Sequence, residues 1–67
     1  MIEFDTAIVT EVDYDSGEKI ADSEHEVSRD ECDVLAYCEV HHAEALLYYD
    51  DVLVGYVVAG GLSVVRA

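Results

Sequence analysis

The residues of this chain whose types could do chemistry are two cysteines and three histidines. Cys32, Cys38, His41 and His42 fall close together, and His25 lies a little before them. Thiolate and imidazole are zinc donors, and Cys38 and His42, four positions apart, would share one side of a helix. Cys32 would stand about 120° from Cys38 around that helix, so a four-ligand tetrahedral site requires a helix break. The paired Cys-x2-Cys spacing of structural zinc sites is absent. The competing reading of the same residues is a buried Cys32, a partly buried Cys38 and two histidines on a polar face or in a turn. Zinc is therefore the one cofactor this donor set suggests, and no other is implied.

Cys38 and His42 could also form a thiol and base pair, but no residue is identifiable as the orienter of the base or as an oxyanion site. The 16 carboxylates guarantee accidental Asp/Glu pairs, so none of them marks acid–base catalysis by itself. Gly-x-Gly-x-x-Gly, the phosphate-binding Walker loop and the serine nucleophile elbow are all missing. Asp13-Tyr14-Asp15-Ser16-Gly17 echoes a calcium loop with its glycine one position early, and a hairpin turn accounts for the same residues. The chain reads as non-enzymatic, with no catalytic residue to name.

These residues must be positioned by short elements. Ile2, Phe4, Thr6, Ile8, Thr10, Val12 and Tyr14 alternate with Glu3, Asp5, Glu11 and Asp13, the period-two pattern of a strand with one wet face, interrupted by Ala7 and Val9. A turn at Asp15–Glu18 leads into a poorly patterned edge strand over Lys19–Val27, whose Asp22, Glu24 and Glu26 discourage edge pairing. Ser28-Arg29-Asp30-Glu31 has the form of a capping box and predicts a helix start. The helix would present Cys32, Leu35, Ala36, Val40, Ala43, Leu46 and Leu47 on its apolar face, opposite Asp30, Asp33, Tyr37, His41 and Glu44. Alternatively, it breaks near His41, and a strand runs through Ala43, Ala45, Leu47 and Tyr49. After a turn at Asp50-Asp51, Val52–Val58 and Leu62–Arg66 read as a hairpin around Ala59-Gly60-Gly61. The expected fold is α+β: a small, mainly antiparallel four-stranded sheet in the order β-β-α-β-β packed against one helix, with residues 1–67 forming a single small acidic domain.

Charge decides the class of partner. The chain carries a net charge of −13, with only Lys19, Arg29 and Arg66 on the basic side. Residues 1–33 hold 12 acids and residues 34–67 hold four. Because 52% of residues are apolar, this is not the composition of a disordered acidic tail. So few basic residues argue against direct nucleic-acid binding. The acidity fits either a very concentrated salt medium, where the Debye length shrinks to about 3 Å, or a basic protein approached by a carboxylate mimic of DNA. The first reading points to a halophilic archaeon or one of its viruses. No signal-peptide pattern opens the chain, and the apolar tract Val52–Val65 is short of the roughly 20 residues that span a bilayer. The expectation is a cytoplasmic protein, or a component of a virion assembled in the cytoplasm, without a membrane role.

A core this small is marginal, and Val52–Val58 is apolar on both alternating faces. The sequence therefore predicts a structural or protein-protein interaction subunit, a homo-oligomer or one bound to a protein partner. Leu53, Tyr56, Val57, Leu62 and Val64 are expected as contacts, with Tyr37, Tyr48 and Tyr49 as amphipathic anchors. The alternatives are a small metal-binding module using Cys32, Cys38, His41 and His42, and the acidic DNA mimic.

Overall fold

The computed structural model describes residues 2–67. It is an α+β fold in which one helix packs against an antiparallel sheet, as the sequence predicts, with five strands in the sheet. In chain order these are β1 (Thr6–Glu11), β2 (His25–Glu26), α1 (Glu31–Val40), β3 (Ala43–Tyr49), β4 (Val52–Val57) and β5 (Val64–Arg66). The spatial order is β2-β1-β3-β4-β5. The fifth strand exists because the helix stops early and residues 43–49 become β3, the second of the two readings of that segment.

The helix starts and stops for local reasons. Asp30 is the N-cap, its carboxylate accepting the Asp33 N–H at 3.2 Å. Ser28 sits two residues outside, accepting the Asp30 N–H at 3.0 Å and donating to the Asp33 carboxylate at 3.1 Å. The N-cap is thus shifted two residues along, from Ser28 to Asp30, which carries a charge suited to the positive helix end, and the reciprocal bond of a capping box is replaced by Ser28 bridging the Asp30 N–H and the Asp33 carboxylate. His41 closes the last turn with its N–H on the Tyr37 carbonyl, and His42 takes φ 49°, which turns the chain out of the helix.

The helix buries Val34 and Cys38, with Leu35 and Tyr37 packed beside them, whereas Cys32, Ala36 and Val40 are exposed. The expected apolar face was therefore rotated. Ala43, Leu46 and Leu47 belong to a strand, and once they are removed the apolar residues of the helix lie nearly all round it. The face is then set by what the sheet offers. Cys32 and Cys38 exchange roles accordingly: Cys32 is exposed and Cys38 is fully buried.

The sheet's core face carries Ala7 and Val9 of β1, Ala43, Ala45 and Leu47 of β3, and Val57 of β4, all buried. The alternation of β1 is thus inverted relative to expectation. Ala7 and Val9, which interrupt the wet face, point at the helix, and Ile8 faces the other way, because small residues let the helix approach closely. Of the predicted return strand over Lys19–Val27, only His25–Glu26 pairs with β1, helped by an isolated bridge between Val12 and Lys19. The arm between them is tied back by Ser23, whose hydroxyl accepts the Glu11 N–H at 3.0 Å and donates to the Ile20 carbonyl at 2.7 Å.

Two glycines are required by close approach. At Gly55 a Cβ would come within 2.9 Å of Ile2 Cδ1 and 2.9 Å of the Val65 carbonyl oxygen, so the N-terminal segment lies over β4 beside the helix. Gly61, at φ +67°, presses on the helix backbone: a Cβ there would collide with the Leu35 carbonyl oxygen and reach 2.7 Å from the Glu39 nitrogen.

Candidate functional site

The cysteine and histidine group is dispersed by the fold. Cys38 points into the core and Cys32 outward at the helix start, while His41 stacks on Tyr37 with ring centroids 4.2 Å apart. His25 meets the same Tyr37 edge-on at 5.3 Å, and His42 stacks on Tyr14 at 3.9 Å. Because the helix ends at Val40, Cys38 and His42 do not share a helical side. Among the described residues no three His, Cys, Asp or Glu side chains are disposed to hold a metal ion. Burial, with a contribution from the Glu44 charge, pushes the Cys38 thiol up to about 11, the opposite of the depressed value that activates a nucleophile. Tyr37 is likewise held above its usual value by burial and by Glu11. The Asp13–Gly17 segment forms a turn: the Asp13 carboxylate accepts the Asp15 and Ser16 N–H groups at 2.8 and 3.0 Å, and Gly17 takes φ +74°. Those two bonds hold Asp13 below the ordinary carboxylate value.

The more informative surface is the side of the sheet that the helix does not cover. Register partners share a face in an antiparallel sheet. Ile8 pairs with Leu46, Leu46 with Tyr56 and Tyr56 with Val65, which makes one apolar row across four strands. A second row runs Thr6, Tyr48, Leu53. Val54 is the extra residue of a bulge in β4, which lets Leu53 return to this face after Gly55 has served the core. Tyr56 is 38% exposed and Leu53 43%. Among the described residues charge appears on this face only at the margin, where Glu26 lies opposite Ile8 and Glu44, opposite Thr10, pairs with Lys19 at 3.4 Å.

Beside this face, Val58, Leu62 and Val65 line a shallow apolar depression of about 300 Å³ with Ala59 and Ser63. Leu62 is 93% exposed and Val58 60%. The whole segment 52–67 contains no Asp or Glu, and all 16 acids lie in residues 3–51. The uncovered face is therefore charge-free where it approaches β5, and the acids gather around β1, β2, the helix and the turns.

The predicted contact residues divide. Tyr48, Leu53 and Tyr56 share the uncovered face, with Leu62 next to it. Val57 is buried and Val64 packs against the core, both on the helix side, so these two are core residues. Tyr37 packs on the core between two histidines, and Tyr49 is exposed at the end of β3. Ile8, Leu46, Val58 and Val65 were missed as surface. The signal that could have found them is the acid-free run after Asp51 combined with period-two counting from buried Leu47. Among the described residues no helix is long and apolar enough to cross a membrane. No family model, no curated protein and no solved structure matches the chain.

Proposed function

We propose that this protein is a non-enzymatic assembly subunit of a halophilic archaeon or of one of its viruses. It works in the cytoplasm or in a virion assembled there, and joins other chains through the apolar, acid-free β4–β5 end of its uncovered sheet face. The observation that carries the reading is the row Ile8, Leu46, Tyr56 and Val65, left without a covering layer in a chain of net charge −13. A contiguous apolar row with charge confined to its rim is the kind of surface that marks a contact site. The acids on the remaining surface keep such an assembly hydrated, and concentrated salt screens their repulsion.

Light-scattering mass from about 0.1 to about 4 M KCl tests this. The expected result is a multimer in concentrated salt that reverts to monomer in Val65→Glu, with the circular dichroism of the fold retained. A wild-type chain that stays monomeric at every salt concentration overturns the reading. Loss of structure on adding a chelator overturns it in favour of a metal module built on Cys32, Cys38, His41 and His42.

A further inference from the structure

We infer that the partner at this surface is a second copy of the chain, added strand to strand along β5 about a two-fold axis at Val65. The inference rests on the assembly reading and specifies its geometry. The two edges of the sheet differ. The β2 edge has two paired residues, His25 and Glu26, preceded by Glu24, the charged and truncated form that blocks strand addition. The β5 edge carries no acid, and its charged residue is Arg66.

The hydrogen-bond phase of β5 fixes what this edge presents. The Ala67 N–H donates to the Val54 carbonyl at 3.1 Å, and β5 pairs with β4 as Gly55 with Arg66, Tyr56 with Val65 and Val57 with Val64. Residues alternate between facing the partner strand and facing away. Ala67 and Val65 therefore bond inward to β4, and the peptide groups of Val64 and Arg66 point to the free edge. A two-fold axis at Val65 sets each Val64 opposite the other copy's Arg66, so the outward groups satisfy one another. The same axis keeps the two Arg66 side chains from standing directly opposite each other.

The side chains and charges agree with this register. Val65 meets its symmetry mate on the uncovered face, and the row from Ile8 to Val65 continues into the second copy. The result is a sheet of ten strands whose two acidic β2 edges are roughly 40 Å apart, at about 4.8 Å per strand, several Debye lengths even at moderate salt. Any docking that uses the β1 and β2 side would instead bring carboxylates together.

The test compares Arg66→Pro with Arg66→Thr at about 2 M KCl, where repulsion is screened. Proline removes an outward N–H without touching the β4 ladder, and threonine removes the charge while keeping the N–H. The expected masses are dimer for wild type and Arg66→Thr, and monomer for Arg66→Pro. Tyr56→Glu, one strand in from the edge, is expected to remain dimeric. Amide exchange read by NMR on the wild type should show concentration-dependent protection at Val64 and Arg66, which does not depend on how well a variant folds. Multimeric Arg66→Pro together with monomeric Tyr56→Glu overturns edge pairing and places the contact face to face, leaving the assembly reading intact. Absence of that amide protection in a multimeric wild type likewise overturns edge pairing alone, whereas a monomeric wild type overturns the assembly reading itself.

Discussion

Gly61 is the residue on which the contact between the β4–β5 connection and the helix depends. Its positive φ and the absence of room for a Cβ act together, because the backbone groups of Leu35 and Glu39 cannot swing aside as a flexible side chain would. Gly61→Ala should cost about 3 kcal/mol, combining left-handed strain with overpacking, and should appear as a lower thermal midpoint. Cys38 supplies a second residue-scale expectation. Its thiol titrates from 9.0 in the open chain to about 11 in the fold, so the native state holds the proton more tightly. The corresponding stability is present below pH 9, is lost as pH rises through about 11, and Tyr37 adds to the loss in the same direction. Melting measured across that interval should show a decline that is shallower in Cys38→Ala. That variant starts lower by about 1 kcal/mol because of the small cavity it leaves.

At the scale of elements, the β3–β4 hairpin turns on Asp50 and Asp51, with φ 51° and 63°, the left-handed pair of a two-residue type I′ turn. The Asp50 N–H is held by the Asp5 carboxylate at 3.0 Å, which also accepts the Thr6 hydroxyl at 3.0 Å. These bonds keep Asp5 below its ordinary value. Asp51 has no such role, so Asp51→Gly should relieve strain and charge together. The expected gain is about 0.5–1 kcal/mol, read as a rise in the denaturation midpoint. This turn and the following hairpin were legible in the sequence, because an acid pair between apolar runs leaves few alternatives. The helix start was legible to within two residues, since Ser28 and Asp30 are both competent caps and only tertiary placement selects between them. The helix face and the phase of β1 were not legible. Ala7, Val9 and Ala45 look like interruptions or fillers in the sequence, yet they are the small residues on which the helix rests. Size complementarity between layers chose the face, and hydrophobicity alone did not. For the same reason the uncovered surface was only partly foreseen. Of the expected contacts, Tyr48, Leu53 and Tyr56 lie on the uncovered face, while Val57 and Val64 sit one position out of phase and fall in the core.

For the whole molecule, a net charge of −13 on so small a fold makes ionic strength a determinant of stability. Repulsion among exposed carboxylates is already screened within about 3 Å at 1 M salt, while apolar burial persists. The thermal midpoint should therefore climb steeply in the first molar of KCl and more slowly after it. A midpoint independent of KCl would remove salt adaptation as the reason for the acidity. The Lys19–Glu44 pair is too exposed to alter this trend.

The acid-free stretch from Val52 to Ala67 also gives the molecule an electric dipole, with its less negative pole at β5. In dilute salt, two approaching copies repel overall but exert a torque on each other that turns the β5 sides inward, so few collisions occur and a large share are correctly oriented. Added KCl reverses both tendencies: encounters become frequent and orientation becomes random. For the proposed pairing through β5, salt would then govern the kinetic route to association as well as its final extent, and the association rate constant should level off with KCl before the fraction of associated chains does.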